Sequence, residues 1–242
     1  MKKFILSDLH IGFENSLYPE MEKTIDYISQ KAEAGDKILG LGDWFHIKEE
    51  GFDKCIKHEM TQKYRDLANK FPTKLVLGNH DKELKDYQLG RKSPNPISPI
   101  EIIDPFWENG FFYCHGHEFD YIGRFMSFPA FWDRFVRRKT PGQLMSEKLT
   151  WGFLAAVNNV HSNALLSLPN KAKTDGKDCK GIVLGHTHFP VIQESPELPC
   201  LINDGDMRHS ATFVIQDSNS FQLMRWDNNS KNWQIIASLP YS

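Results

Sequence analysis

"KLVLGNHDKE", Lys74 to Glu83, sets three apolar residues before a glycine and five polar residues after it. It reads as a buried strand whose C-terminal end delivers Asn79, His80 and Asp81 to one place. The same design recurs on either side. "KKFILSDLH" (Lys2–His10) and "DKILGLGD" (Asp36–Asp43) precede it; "FFYCHGHEFD" (Phe111–Asp120) and "KGIVLGHTH" (Lys180–His188) follow. Between the first three lie two helical patterns. Tyr18 to Ala34 places Met21, Ile25 and Ile28 on one face before Gly35, and Phe52 to Phe71 reads as a second helix. Strand, helix, strand, helix, strand predicts parallel βαβ units and an α/β fold.

Farther along, Lys82 to Arg91 reads as a short helix halted by the loop "SPNPISP" (Ser93–Pro99), and "EIID" (Glu101–Asp104) as a strand. Tyr121 to Leu168 breaks the alternation and reads as a long, helical, aromatic insertion closed by the polar "NKAKTDGKD" (Asn170–Asp178). "PVIQE", "CLINDGD", "ATFVIQD", "FQLMRWD" and "WQIIASL" then read as short strands in succession. The expectation is one domain over residues 1–242, with a helical cap at about 121–170.

Composition sets bounds. The chain of 242 residues is 40% hydrophobic and 25% charged, as in ordinary soluble proteins, and long enough for a sizeable core. A formal charge of −2 gives no global field for nucleic acid or membranes, so any such patch must be local. Cys55, Cys114, Cys179 and Cys200 show no paired spacing, which argues against a disulfide framework or a structural zinc knot. No run approaches the ~18 apolar residues of a membrane span, and "FILSDLH" turns polar too soon for a signal peptide. The expected setting is cytoplasmic.

Five strand ends each deliver Asp, Asn or His: Asp8 and His10; Asp43; Asn79, His80 and Asp81; His115 and His117; His186 and His188. In open α/β sheets, sites form beyond the carboxyl ends of strands. The set is too large for one cation and suits two. Carboxylate, amide and imidazole donors without thiolate select manganese, iron, zinc, cobalt or nickel. Two cations ~3.5–4 Å apart need a bridging carboxylate to offset their repulsion; Asp43, central in the set, is the choice. In Asp8-Leu9-His10 and His186-Thr187-His188 the alternate spacing puts both side chains on one face of an extended segment. Glycines before Asp43, Asn79 and His186 permit close approach of the backbone.

These stretches, in this order, resemble the calcineurin-like metallophosphoesterase superfamily: D-x-H, G-D, G-N-H-D, a His-bearing motif, then G-H-T-H, with "INDGD" (Ile202–Asp206) similar to its closing strand and loop. The resemblance implies two packed mixed β-sheets flanked by helices, with the helical insertion over the site. It implies one divalent metal ion held by Asp8, His10, Asp43 and His188 and another by Asp43, Asn79, His115 and His186, manganese first. His80 is implied as the catalytic acid and Asp81 as its orienter, although Asp81 read alone also suits a helix N-cap. A hydroxide bridging the metals would cleave a phosphoester or pyrophosphate bond.

The insertion carries six basic residues against two acidic ones over Ile122–Lys148, and Phe125, Phe128, Phe131, Trp132 and Phe135 at helical spacings. Either those aromatics pack the insertion onto the core, or they form a lid that meets lipid while its bases meet phosphates. His117, Arg124, Arg137 and Arg138 are the candidate substrate contacts. Layout and length resemble the branch containing UDP-2,3-diacylglucosamine diphosphatase, whose substrate is a lipid-linked nucleotide-sugar pyrophosphate. That branch has G-N-R-D and H-G-D where this chain has His80 and His117, which favours a less specialised phosphohydrolase. The partners expected are a small or lipid-linked phosphate and a peripheral membrane contact through the insertion. A phosphodiesterase or nuclease is the alternative, and the net charge weighs against it. A non-catalytic scaffold would be expected to lose ligands, and here every position is filled. His46 and His58 are expected at the surface, Cys114 within its strand, and His209 is left without a role.

Overall fold

Phe4, Ile5 and Leu6 are all fully buried because the strand that carries them is covered on both faces. In the computed structural model, which describes the backbone of residues 1–120 and 147–240 and the side chains of 1–120 and 157–240, this is β1 (Lys3–Leu6). It pairs in parallel with β2 (Lys37–Leu41), which pairs with β3 (Thr73–Val76), which pairs with β4 (Glu101–Ile103). A second sheet contains β5 (Phe106–Glu108), β6 (Phe111–Tyr113), β7 (Gly181–Leu184), β8 (Val191–Gln193) and β9 (Cys200–Asn203). Its order is β5-β6-β7-β9-β8, parallel at the centre and antiparallel at both edges. The chain then returns to the first sheet as β10 (Thr212–Gln216), β11 (Ser220–Asp227) and β12 (Asn232–Pro240), giving the order β12-β11-β10-β1-β2-β3-β4.

Alternation along each strand builds four layers. On one face of the first sheet, Phe4 and Leu6 join Met21 and Ile28 of α1 (Tyr18–Lys31). The same cluster takes in Tyr64 and Leu67 of a later helix (Glu59–Ala68), and both helices lie over this face. On the other face, Ile5, Leu39, Leu41 and Val76 meet Tyr113, Val183 and Ile202 of the second sheet. The outer face of that sheet, with Phe112, Ile182, Leu184 and Leu201, is covered by Val160, Ala164, Leu165 and Leu168 of the long helix Glu147–Asp175. The result is the two mixed sheets flanked by helices that the family resemblance implies.

Three local readings change. The second helix breaks into α2 (Ile47–Glu50), α3 (Phe52–Ile56) and α4 (Glu59–Ala68). His58 interrupts it in an extended conformation and accepts the Met60 N–H as N-cap of α4. After α5 (Lys85–Gln88), an unforeseen hairpin joins β5 to β6 across Asn109 and Gly110, both at positive φ. Asn-Gly is the turn signal that marks it in the sequence. Finally, α6 (Glu147–Asp175) runs through Pro169 and the polar stretch after it, because Ala172 continues its buried stripe. Arg124, Arg137, Arg138 and the aromatics of the insertion lie outside the described residues. Among the described residues, no helix is long and apolar enough to cross a membrane.

Candidate metal centre

Parallel pairing brings the ends of β1, β2 and β3 together at one edge, and the second sheet brings the ends of β6 and β7 against them. Two groups of ligand atoms result, each within 4.8 Å: Asp8 with His10 and His188, and Asp43 with His115 and His186. Asp8 Oδ1 lies 3.3 Å from His188 Nε2 and 3.7 Å from His10 Nε2. Asp43 Oδ2 lies 3.2 Å from His115 Nε2 across the two sheets. Asn79 follows Gly78 at the end of β3, with its Oδ1 buried.

The local backbone is not extended as the alternate spacing suggested. Asp8, His10, Asp43, His186 and His188 all take positive φ, between 49° and 67°. Such residues cost roughly 1–3 kcal/mol each, so five of them are sustained only because surrounding bonds fix them. The loops are indeed tied from several sides. Asp8 Oδ2 accepts the His186 N–H at 2.8 Å and the Ser7 hydroxyl at 2.6 Å, and Asp43 Oδ1 accepts the His80 N–H at 2.8 Å. A Cβ on Gly78 would stand 2.1 Å from Asp43 Oδ1, so the loops touch where only glycine fits. Gly78→Ala is therefore expected to displace Asp43 and weaken metal uptake at least ~10-fold, the lower end for disturbing a ligand's support. Calorimetric titration with manganese checks this, and unchanged affinity would contradict it.

Three buried atoms show what the arrangement accepts. Asp8 Oδ1, Asn79 Oδ1 and His115 Nε2 have no hydrogen-bond partner, although burying such groups unpaired is costly. His115 Nδ1 meets the Leu41 carbonyl at 2.7 Å, which places one proton there. Burial opposes a second, but the Asp43 charge prevails and raises the imidazole's pKa, so Nε2 faces Asp43 with a proton that a bound cation would displace. Burial alone would push the Asp43 carboxyl up, but the His115 and His80 imidazoles hold it well below the ordinary carboxylate range. Burial likewise opposes the charge of Asp8, and His188 and His10 overcome it. Anionic carboxylates, an amide oxygen and imidazole nitrogens, with no cysteine in either group, fit divalent cations of the borderline-to-hard class.

Asp81 has neither expected role. Its Oδ1 accepts the Gly78 N–H at 2.6 Å and its Oδ2 the Trp44 N–H at 3.0 Å. Burial and the charge of Asp43 push its pKa up to about 7, and its side chain makes no cap bond to the turn that follows. It staples the β2 and β3 loops instead of orienting His80. Glu49 takes that place, with Oε2 2.5 Å from His80 Nδ1. His46, expected at the surface, is fully buried, 2.8 Å from His10 Nδ1 through its own Nδ1. Neither residue belongs to a strand-end motif. Their signal is the polar helix "HIKEE" starting three residues after Asp43.

Asp206 is the other residue the sequence did not single out as functional. It is fully buried, and its carboxylate accepts from His188 Nδ1 at 2.7 Å, His209 Nδ1 at 2.8 Å and the Ser210 N–H at 2.8 Å. Holding the His188 proton on Nδ1 turns its Nε2 toward Asp8, the arrangement of a carboxylate–histidine–metal triad. Asp206→Asn is expected to weaken cation binding at Asp8, His10 and His188 by ~10–100-fold and to spare any cation bound at Asp43, His115 and His186. Metal titration followed by mass spectrometry distinguishes this from an equal loss at both sites. His209 gains a role here as the second imidazole on Asp206. His117 sits at the rim, its ring 5.4 Å from that of His115 and 6.3 Å from that of His186.

Residues 1–190 match the calcineurin-like phosphoesterase family, a span that includes every strand-end motif from Asp8 to His188. No curated protein matches the sequence. Among solved structures, the chain is similar to vacuolar protein sorting 29 from Cryptosporidium parvum, at 14% identity and a TM-score of 0.50, covering 100% of this chain and 97% of that one. It is also similar to an archaeal phosphodiesterase (14% identity, TM-score 0.45, 100% of each chain). A conserved protein from Streptococcus pneumoniae TIGR4 is similar at 13% identity and TM-score 0.43, over 99% of this chain and 96% of that one. At 14% identity the likeness to the Cryptosporidium protein is one of fold. By the match over most of its length, this chain belongs to the calcineurin-like phosphoesterase family.

Proposed function

We propose that the protein is a phosphohydrolase that uses two divalent cations, manganese first among them. The observation that carries this reading is the pair of ligand groups, Asp8 with His10 and His188 and Asp43 with His115 and His186, beside three buried atoms (Asp8 Oδ1, Asn79 Oδ1 and His115 Nε2) that make no hydrogen bond. Asp8, His10 and His188 would hold one cation, Asn79, His115 and His186 the other, and Asp43 would serve both. Cations bound there supply neutralisation of phosphoryl oxygens and a nucleophilic water of lowered pKa.

The remaining work falls to His80. Burial lowers its basicity, but the charges of Asp43 and Glu49 prevail and raise its pKa above the ordinary imidazole value. Its Nε2 faces the site, 3.9 Å from Asp43 Oδ2, while Nδ1 is occupied by Glu49. A protonated ring so placed donates a proton to the departing oxygen. Were cations to draw on Asp43, Glu49 would remain the carboxylate beside the ring.

For the substrate we propose a nucleotide-sugar or other pyrophosphate, with the lipid-linked UDP-2,3-diacylglucosamine as the first compound to test and a phosphodiester as the alternative. The cap at 121–170, a cytoplasmic setting and peripheral contact with a membrane belong to the same proposal. Purified protein with manganese is expected to release UMP from UDP-2,3-diacylglucosamine or nitrophenol from bis(p-nitrophenyl) phosphate. Release from the first alone favours the pyrophosphate, and from the second alone the diester. Hydrolysis of neither, with manganese, cobalt, nickel, zinc or iron, would contradict the reading.

A further inference from the structure

A histidine interrupts the apolar stripe of α6. Val157, Val160, Ala164, Leu165 and Leu168 are buried along it, and His161 lies among them at 6% exposure. Burial pushes the imidazole pKa down to about 4, so the ring is neutral, and a polar group buried this far needs partners. It finds them at the end of the second sheet. Its Nε2 meets the Thr187 hydroxyl at 3.1 Å and the amide nitrogen of Asn203 at 3.4 Å. Asn203 is fully buried on β9, paired with Leu184 of β7. Its amide nitrogen donates to Thr187 Oγ1 at 2.9 Å and to the Gly185 carbonyl at 2.8 Å, and its Oδ1 accepts the Gly205 N–H at 2.9 Å. An amide nitrogen only donates. The Thr187 hydroxyl therefore accepts from Asn203 and gives its own proton to His161.

We propose that His161 is a positioning residue for both cation sites: by holding Thr187 it fixes the loop from which His186 and His188 reach the two ligand groups. The proposal rests on the dimetal reading above and assigns part of the centre's support to α6, which among the described residues has no member in either group. Thr187 stands between two residues at positive φ, His186 at 67° and His188 at 57°. Such a backbone persists only where its surroundings over-determine it. The Asp8 carboxylate takes the His186 N–H, Asp206 takes His188 Nδ1, and the Thr187 N–H folds back on the Gly185 carbonyl at 2.8 Å. The Thr187 side chain ties the residue between the ligands to β9 and α6.

This support differs from that of Asp206, which acts on His188 alone. Thr187 is shared by the two ligands, so losing its anchor weakens both cations together. Were His161 only a filler of the stripe, a ring of similar size without the nitrogen would leave cation affinity untouched and act on stability alone.

Calorimetric titration with manganese, beside thermal melting of the cation-free protein, tests the proposal. His161→Phe keeps a flat ring in the stripe and removes the acceptor; it is expected to weaken both cations ~10-fold, the lower end for loss of a supporting partner. His161→Gln, whose side-chain oxygen accepts from Thr187, should recover most of that affinity. Thr187→Val keeps nearly the same shape without the hydroxyl and should repeat the loss. The double variant should lose no more than either single one, because the same contact is removed twice. Wild-type affinity in His161→Phe, whatever its melting temperature, would overturn the proposal. So would a loss confined to one cation, additive losses in the double variant, or no recovery in His161→Gln. If His161→Phe does not fold, Thr187→Val decides: weakening of both cations supports the proposal and unchanged affinity overturns it. Failure of the wild type to bind manganese would instead overturn the dimetal reading, and the proposal with it.

Discussion

Asp43→Ala is expected to abolish phosphoester hydrolysis and to lower cation affinity more than ~100-fold, beyond what loss of a merely supporting partner costs. No other ligand stands in both halves of the site. Its Oδ2 faces His115 Nε2 at 3.2 Å, its Oδ1 fixes the His80 backbone at 2.8 Å, and His80 Nε2 lies 3.9 Å away. Removing it takes away the acceptor that holds the β3 loop and the charge that would offset the two proposed cations. Asp43→Asn separates these effects, because the amide oxygen still accepts the His80 N–H but carries no charge. That variant should fold, show a wild-type circular dichroism spectrum, and remain inactive with less than two cations per chain. Full activity with full metal content in either variant would remove Asp43 from the centre of the mechanism.

His80→Ala is expected to lower kcat by ~10²–10⁴-fold, the range for loss of a positioned acid, while both cations remain bound. The ring is aimed from the side opposite Glu49, and among the described residues no ligand group includes it except the trio with His10 and His46. The defect should depend on the leaving group. An alkyl phosphoester needs a proton on the departing oxygen, whereas p-nitrophenolate leaves without one. The alanine variant should therefore be severely impaired on the alkyl ester and only mildly on the nitrophenyl ester. Equal losses on both would mean that the ring stabilises phosphoryl charge instead.

Much of this arrangement is legible in the chain because a strand–glycine–polar motif fixes both a fold element and a ligand. "FILSDLH", "ILGLGD" and "LVLGNHD" predict three parallel strands and what stands at their ends, and the structure puts those residues in one groove. Burial on both faces made the strands readable as continuous apolar runs. What stayed hidden depends on contacts between distant segments. Asp81 looked like the orienter of His80 because it is adjacent, yet its oxygens go to Gly78 and Trp44. Glu49 does that work from a helix 31 residues upstream, and nothing in local pattern states which carboxylate will reach a ring. His46 carries no motif, and its burial arises from Phe13, His10 and His80 closing around it. Asp206 lies in a visible loop, but its partner His188 is in another strand's loop. The Asn109-Gly110 hairpin and the His58 break were readable from turn and capping chemistry, against which the apolar pattern was the louder signal.

The most direct test is anomalous diffraction at the manganese edge from crystals of the manganese-loaded protein. Two peaks ~3.5–4 Å apart are predicted, one against Asp8, His10 and His188, the other against Asn79, His115 and His186, with Asp43 in contact with both. A single peak, or peaks away from Asp43, for example at His188, Asp206 and His209, would contradict the account.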